Sequence, residues 1–167
     1  MPDACKFILD ANVLIQAKRS YYAFDLCPGF WDSLLYHNSN GNLESIDRVG
    51  DDLSEGDDLD AWKKESPCFF APTESASILK AYREVNQWVQ SQERFSSFEK
   101  RKFADDVDAW VIAYAKDNNA IVVTHEVPAP RSTKVKIPDV CDHFDIKHIN
   151  TFDMLKKLGV FFSWEAS

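Results

Sequence analysis

The sequence predicts an α/β fold built on a parallel sheet with helices over both faces. Two observations carry this. Short apolar runs at 6–10 and 120–124 each end at a polar residue, as buried parallel strands do, and helical stretches separate the strands through to the C-terminal end. The chain has 167 residues, 45% of them hydrophobic and 28% charged, with only 5 Gly and 7 Pro. One domain over 1–167 is expected, large enough to bury a core without a metal or a disulfide. That composition excludes a disordered tail, a collagen-like repeat and a disulfide-rich miniprotein. No window of 18 uninterrupted apolar residues exists, so no membrane span is expected. The N-terminal residues carry no secretory pattern. The four cysteines, Cys5, Cys27, Cys68 and Cys141, are widely spaced, so the expectation is a cytoplasmic protein with reduced thiols.

In chain order, Lys6-Phe7-Ile8-Leu9-Asp10 reads as a buried strand, and Asn12 as the cap of a helix through Val13, Leu14, Ile15 and Ala17. A second helix follows Pro28, with Phe30, Trp31, Leu34 and Leu35 on its apolar side. A turn at 38–42 leads to a short strand at 43–46. The acidic stretch after it is helical in parts. Residues 76–89 form an amphipathic helix through Ile78, Leu79, Tyr82, Val85 and Trp88. Val107 and residues 109–115 are apolar around the whole helical circumference, which predicts a central buried helix ending at 116–119. Strands at 120–124 and 146–149 and a last helix at 151–158 complete the pattern.

The net charge is −8, and the stretch 44–60 supplies most of it: eight acids stand there against Arg48 alone. Such a block is usually a solvated helix face. Cations gather elsewhere, at Lys18-Arg19, at Lys100-Arg101-Lys102, between Arg131 and Lys136, and at Lys156-Lys157. Net charge therefore neither supports nor excludes a polyanionic substrate.

Asp10 and Glu126 both stand at the carboxyl ends of their strands, where open α/β sheets bind ligands. Asp108 opens the buried helix. Asp105 as N-cap with Asp108 at the third helical position is the competing structural reading. Asp52 lies in Val49-Gly50-Asp51-Asp52-Leu53, and spacing alone does not prefer it over Asp51. If Asp10, Asp52, Asp108 and Glu126 converge, they repel. Two carboxylates about 4 Å apart cost roughly 4 kcal/mol at an effective dielectric of 20. Either pKa values rise or a hard divalent cation neutralises them, and an all-oxygen donor set favours Mg²⁺ or Mn²⁺ over zinc. Such a site suits hydrolysis of phosphodiesters by an activated water, without a covalent intermediate.

The segment Phe7-Ile8-Leu9-Asp10-Ala11-Asn12-Val13-Leu14-Ile15 resembles the opening motif of PIN domains, the fold of VapC-type toxin ribonucleases. Residues 108–115 resemble the helix bearing the third acid of that family. Val122-Val123-Thr124-His125-Glu126 resembles the strand end bearing Thr and the fourth acid. The Val-x-x-acid-Leu pattern at 49–53 fits the second motif and selects Asp52. One departure is visible: the second acid is usually Glu, and Asp52 is one methylene shorter. The likeness runs from about residue 6 to 158. The tryptophan after Asp108, the Thr-His-Glu ending and residues 136–141 resemble one uncharacterised bacterial branch. It implies a three-layer α/β/α sandwich, Mg²⁺ or Mn²⁺, RNA as substrate, frequent homodimers and a cognate antitoxin that blocks the cleft.

Other residues carry simpler expectations. Asn12 serves its helix, with metal contact as the alternative. Thr124 places a hydroxyl at the mouth of the site, and strand alternation turns His125 away from Thr124 and Glu126. Cys141 and His143 look like half of a ligand set with no second pair, and Trp110 reads as core. Arg131, Lys134 and Lys136 follow Glu126 on a loop broken by Pro128 and Pro130, and would hold phosphates beside the cleft. Two rivals stand beside the nuclease: a catalytically silent PIN-like interaction module, and a haloacid-dehalogenase-like phosphohydrolase. The second needs an acid two residues after its first Asp, where this chain has Asn12.

Overall fold

A computed structural model describes residues 5–53 and 55–167. Five parallel strands form one sheet: β1 (Phe7–Leu9), β2 (Leu43–Ile46), β3 (Phe70–Ala71), β4 (Ile121–Val123) and β5 (His148–Ile149), in the order β3-β2-β1-β4-β5. Phe7 pairs with Leu43 on one side and Ile121 on the other, so β1 is central. All residues of β1, β2 and β4 are buried, which is why β1 and β4 read as continuous apolar runs; β2 buries Glu44 and Ser45 between Leu43 and Ile46.

The chain first winds outward from β1 to β3 through α1 (Ala11–Gln16), α2 (Pro28–Ser39), α3 (Asp47–Asp52) and α4 (Asp58–Glu65). It then crosses back through α5 (Ala76–Ser91), α6 (Ser97–Asp105) and α7 (Asp108–Asn118) to reach β4 on the far side of β1. Parallel crossovers are right-handed, so this reversal of winding puts α5 to α7 on the face opposite α1 and α2. The last crossover carries α8 (Ile137–His143), and α9 (Thr151–Lys157) follows β5. The result is a three-layer α/β/α sandwich with a parallel sheet in the middle. Among the described residues no helix is long and apolar enough to cross a membrane.

Helix α7 lies over β1, β2 and β4, and its Ala109 and residues 111–115 are buried. It stops where Asn119 adopts the left-handed conformation (φ 50°), the usual exit for a helix before a strand. Helix α5 is capped by the Ser75 hydroxyl, which accepts from the Ile78 N–H, and buries Ile78, Ala81, Val85 and Val89. Leu79, expected on that apolar side, is 38% exposed: it lies one step off the buried stripe. Strand β3 and helix α6 escaped the sequence reading. The first has two residues, too few to show a period, and the second has one buried apolar residue, Phe103.

Two capping expectations are corrected. Asn12 does not cap α1; the extended Asp10 (ψ 152°) occupies the N-cap position, and Asn12 is an exposed first-turn residue. Asp105 does not cap α7; it ends α6, and the chain turns at Asp106 and Val107 before α7 begins at Asp108. The Cys141–His143 pair is no ligand set. Cys141 is fully buried, with burial pushing its thiol up, while the His143 ring stacks on Trp88 at 4.1 Å. Trp110 is half-buried and packs against the edge of the core. Its ring stacks on Tyr82 at 3.9 Å and lies 3.7 Å from the Arg48 guanidinium carbon, so the two neighbours must take opposite faces.

Candidate active site

The winding reverses at β1 and β4, and the carboxyl ends of these two strands therefore open onto a crevice. The ladder continues one residue past β1, since the Asp10 N–H donates to the Val123 carbonyl at 3.0 Å. That bond fixes Asp10 at the sheet edge. Its side chain makes no capping bond to α1, and it is completely buried. On the adjacent strand the Thr124 hydroxyl donates to Asp10 Oδ2 at 3.3 Å and accepts from the Glu126 N–H at 3.1 Å. Asp10 Oδ1 has no hydrogen-bond partner.

Glu126 has divided duties. Its Oε2 accepts from the Ile137 N–H at 2.7 Å, so it caps α8 in place of Lys136, whose side chain offers no acceptor. The loop between them is pinned by Asp139, both of whose oxygens lie 3.1 Å from the Ala129 N–H, and by the Ser96 N–H on the Thr133 carbonyl. Asp108 stands at the first position of α7, where the helix dipole favours an anion.

Electrostatics join these acids. Asp10 is pushed up from 3.8 to about 7, first by burial and then by Glu126, with Asp106 adding to it; the Thr124 hydroxyl and the nearby Ala11 N–H oppose the rise. Asp108 is pushed up to about 8, again first by burial, then by Asp10, Asp106 and Glu126, with Lys102 opposing. A cavity of about 110 Å³ opens beside them, lined by Lys102, Asp106, Asp108, Glu126, Lys134 and Lys136.

Asp10, Asp108 and Glu126 thus come together with Thr124. Asp52 does not join them. It is exposed at the end of α3, and with Asp106 it lines two open grooves next to the cavity. Asp106, which the sequence analysis does not single out, lines the cavity with Asp108 and Glu126 and helps raise Asp10 and Asp108. A signal existed in the run Asp105-Asp106-Val107-Asp108, but only the break between α6 and α7 turns Asp106 toward Asp108. Lys102, one turn before that break, stands out in the sequence only as part of the basic cluster 100–102 and not as a site residue. Lys134 and Lys136 line the cavity as expected of the loop, whereas Arg131 is exposed and does not line it. His125 leaves the acids: its Nε2 lies 3.1 Å from the Thr151 hydroxyl, and its ring packs against Tyr21 and Phe152.

Among the described residues, no three His, Cys, Asp or Glu side chains are arranged to hold a metal ion as they stand. The donor set nonetheless suits a hard cation. All four acids offer oxygen only, and Asp10 Oδ1 is a buried carboxylate atom with nothing bonded to it. No curated protein and no solved structure matches the chain. Residues 7–162 match the model of a family described as a domain of unknown function (DUF4411). That match takes in every element from β1 to α9 and the whole candidate site, and the chain belongs to this family.

Proposed function

We propose that this protein is a Mg²⁺- or Mn²⁺-dependent ribonuclease with a PIN-like site. The observation that carries the reading is the convergence of Asp10, Asp106, Asp108 and Glu126 at the switch point of the sheet, where two of them are driven toward protonation. A structural cluster would carry its own cations against Asp10. Here Asp10's nearest charged influences are acids. Asp10, Asp106 and Asp108 would hold the ion, with the Glu126 oxygen not engaged at Ile137 as the fourth donor. A bound Mg²⁺ or Mn²⁺ supplies an activated water and neutralises charge building on the phosphate.

The chain's own groups account for the rest. Thr124 holds Asp10 Oδ2, which leaves Oδ1 aimed away from that bond. Lys102, Lys134 and Lys136 around the cavity give an acidic protein a local grip on phosphates. Arg131 would act only on flanking RNA. On the resemblance to VapC-type enzymes, the protein is the toxin of a bacterial toxin–antitoxin pair, working in the cytoplasm as a homodimer, with an antitoxin that covers the cleft.

The test is cleavage of single-stranded RNA by the purified full chain. Activity is expected with Mg²⁺ or Mn²⁺ and not in chelator, and Asp10→Asn should reduce it about 1,000-fold or more, the scale of several kcal/mol of charge stabilisation. Equal cleavage in chelator or by Asp10→Asn ends the proposal.

A further inference from the structure

Helix α6 carries Phe98, Arg101 and Lys102 at i, i+3 and i+4, which puts them on one face. All three are exposed and line one open groove, whose other end is formed by Asp52, Asp105 and Asp106. Phe98 is 65% exposed and stacks on no described aromatic ring, although its neighbour Phe103 is buried in the core. Neither Arg101 nor Lys102 forms an ion pair with a described residue. The groove is continuous with the acid cavity, because Lys102 and Asp106 line both. An unpartnered aromatic ring beside two free cations, one helical turn from a cluster of acids, is the chemistry that holds an unpaired base and its phosphates.

We infer that Phe98, Arg101 and Lys102 form a subsite for single-stranded RNA next to the scissile phosphate, with a nucleobase stacked on Phe98 and flanking phosphates on the two cations. This rests on the ribonuclease reading above and names how that site selects its substrate. A base within a duplex has both faces covered and cannot stack on the ring, so the subsite favours unpaired RNA. Lys102 spans both compartments and sets the register between the stacked base and the acids. The path of the strand follows from continuity: it joins the α6 groove, past Asp106, to Lys134 and Lys136.

The experiment uses the full chain carrying Asp10→Asn, so that RNA stays intact, and a fluorescein-labelled single-stranded oligoribonucleotide beside its duplex form. Phe98→Ala should weaken single-strand binding about tenfold, Phe98→Trp should retain it, and duplex binding should not respond. A 2-aminopurine base in the strand should be quenched by the Phe98 protein and not by Phe98→Ala. Arg101→Ala with Lys102→Ala should flatten the salt dependence by about 0.7 per cation lost. Unchanged affinity and quenching in Phe98→Ala overturn the inference while the nuclease reading stands. A change in oligomeric state with unchanged RNA affinity makes the ring a protein contact and also overturns it. Failure of the parent protein to bind any RNA overturns both.

Discussion

Asp10 and Asp60 are both buried carboxylates, and each has one oxygen without a hydrogen bond. They are shifted in opposite directions. Asp60 accepts from the Gly56 N–H at 2.9 Å and from Lys64 at 2.9 Å, and its unbonded Oδ1 faces the Lys63 ammonium at 3.7 Å. Those partners, the Gly56 N–H first, hold it below the usual carboxylate range. Asp10 has one hydroxyl, and its charged neighbours are Glu126 and Asp106, so burial and repulsion push it up. Other acids of the same stretch also carry partners: Glu44 meets Lys6 at 2.7 Å and the Tyr114 hydroxyl at 2.6 Å, and Asp57 meets Lys18. Asp10, at the sheet edge, has no cation among its charged influences.

The sharpest way to break this contrast is pH. Asp10 and Asp108 sit near 7 and 8 in the folded protein against 3.8 unfolded, so the folded state holds protons that the unfolded chain releases. Their contribution is favourable and complete below about pH 4, and is lost as pH rises through about 4 to 8 without metal. Asp10→Asn should therefore match the parent near pH 4 and exceed it at pH 8 by up to about 4 kcal/mol, at 1.36 kcal/mol per unit. Urea unfolding in chelator measures this, and parallel pH profiles for the two proteins would remove the distinction between Asp10 and Asp60.

Metal should offset the same cost. At a free Mg²⁺ or Mn²⁺ concentration 100 times its Kd, the parent should gain about 2.7 kcal/mol at neutral pH, and Asp10→Asn much less. Thermal unfolding with and without the ion reads it out.

Glu126 belongs to both kinds of acid, and two substitutions separate its roles. Glu126→Gln keeps an acceptor for the Ile137 N–H, so it should lose activity with little loss of stability. Glu126→Ala should lose activity and also about 1 kcal/mol from the uncapped helix. Equal stabilities would mean that the cap contributes nothing. The smallest effect is expected at Asp60. Asp60→Ala should lower Tm by about 3 °C at neutral pH, leave cleavage unchanged, and lose its effect in acid as the parent carboxylate protonates. A loss of cleavage there would tie the neutralised region to the chemistry.

The centre of the sheet was legible because strands buried on both faces tend to be apolar along their length: 7–9 and 121–123 announce themselves, and α7 does so by its apolar circumference. The strand at 43–46, with Glu44 and Ser45 inside it, is marked only by the turn before it. Asp10, Thr124 and Glu126 were legible for a related reason, since each follows a strand whose end is marked by the loss of hydrophobicity. The pattern of Val and Leu that selects Asp52 reports a buried turn: Val49 and Leu53 are core, while Asp51 and Asp52 between them face solvent. Asp106 had no periodic signal, because it lies in a two-residue break between helices where neither period applies.

By itself, the sequence determined which segments are buried and where each apolar run stops, because hydrophobic burial acts on every residue locally and leaves a period behind. Tertiary structure alone decided which charges meet. Asp60 and Lys64 are one helical turn apart in the chain, but Asp10 meets Glu126 and Asp106 only because the winding reverses between β1 and β4 and the α6–α7 break turns inward. Whether a carboxylate is neutralised or left wanting a cation depends on groups within a few ångströms, and for Asp10 those groups are brought from about 100 residues away by packing.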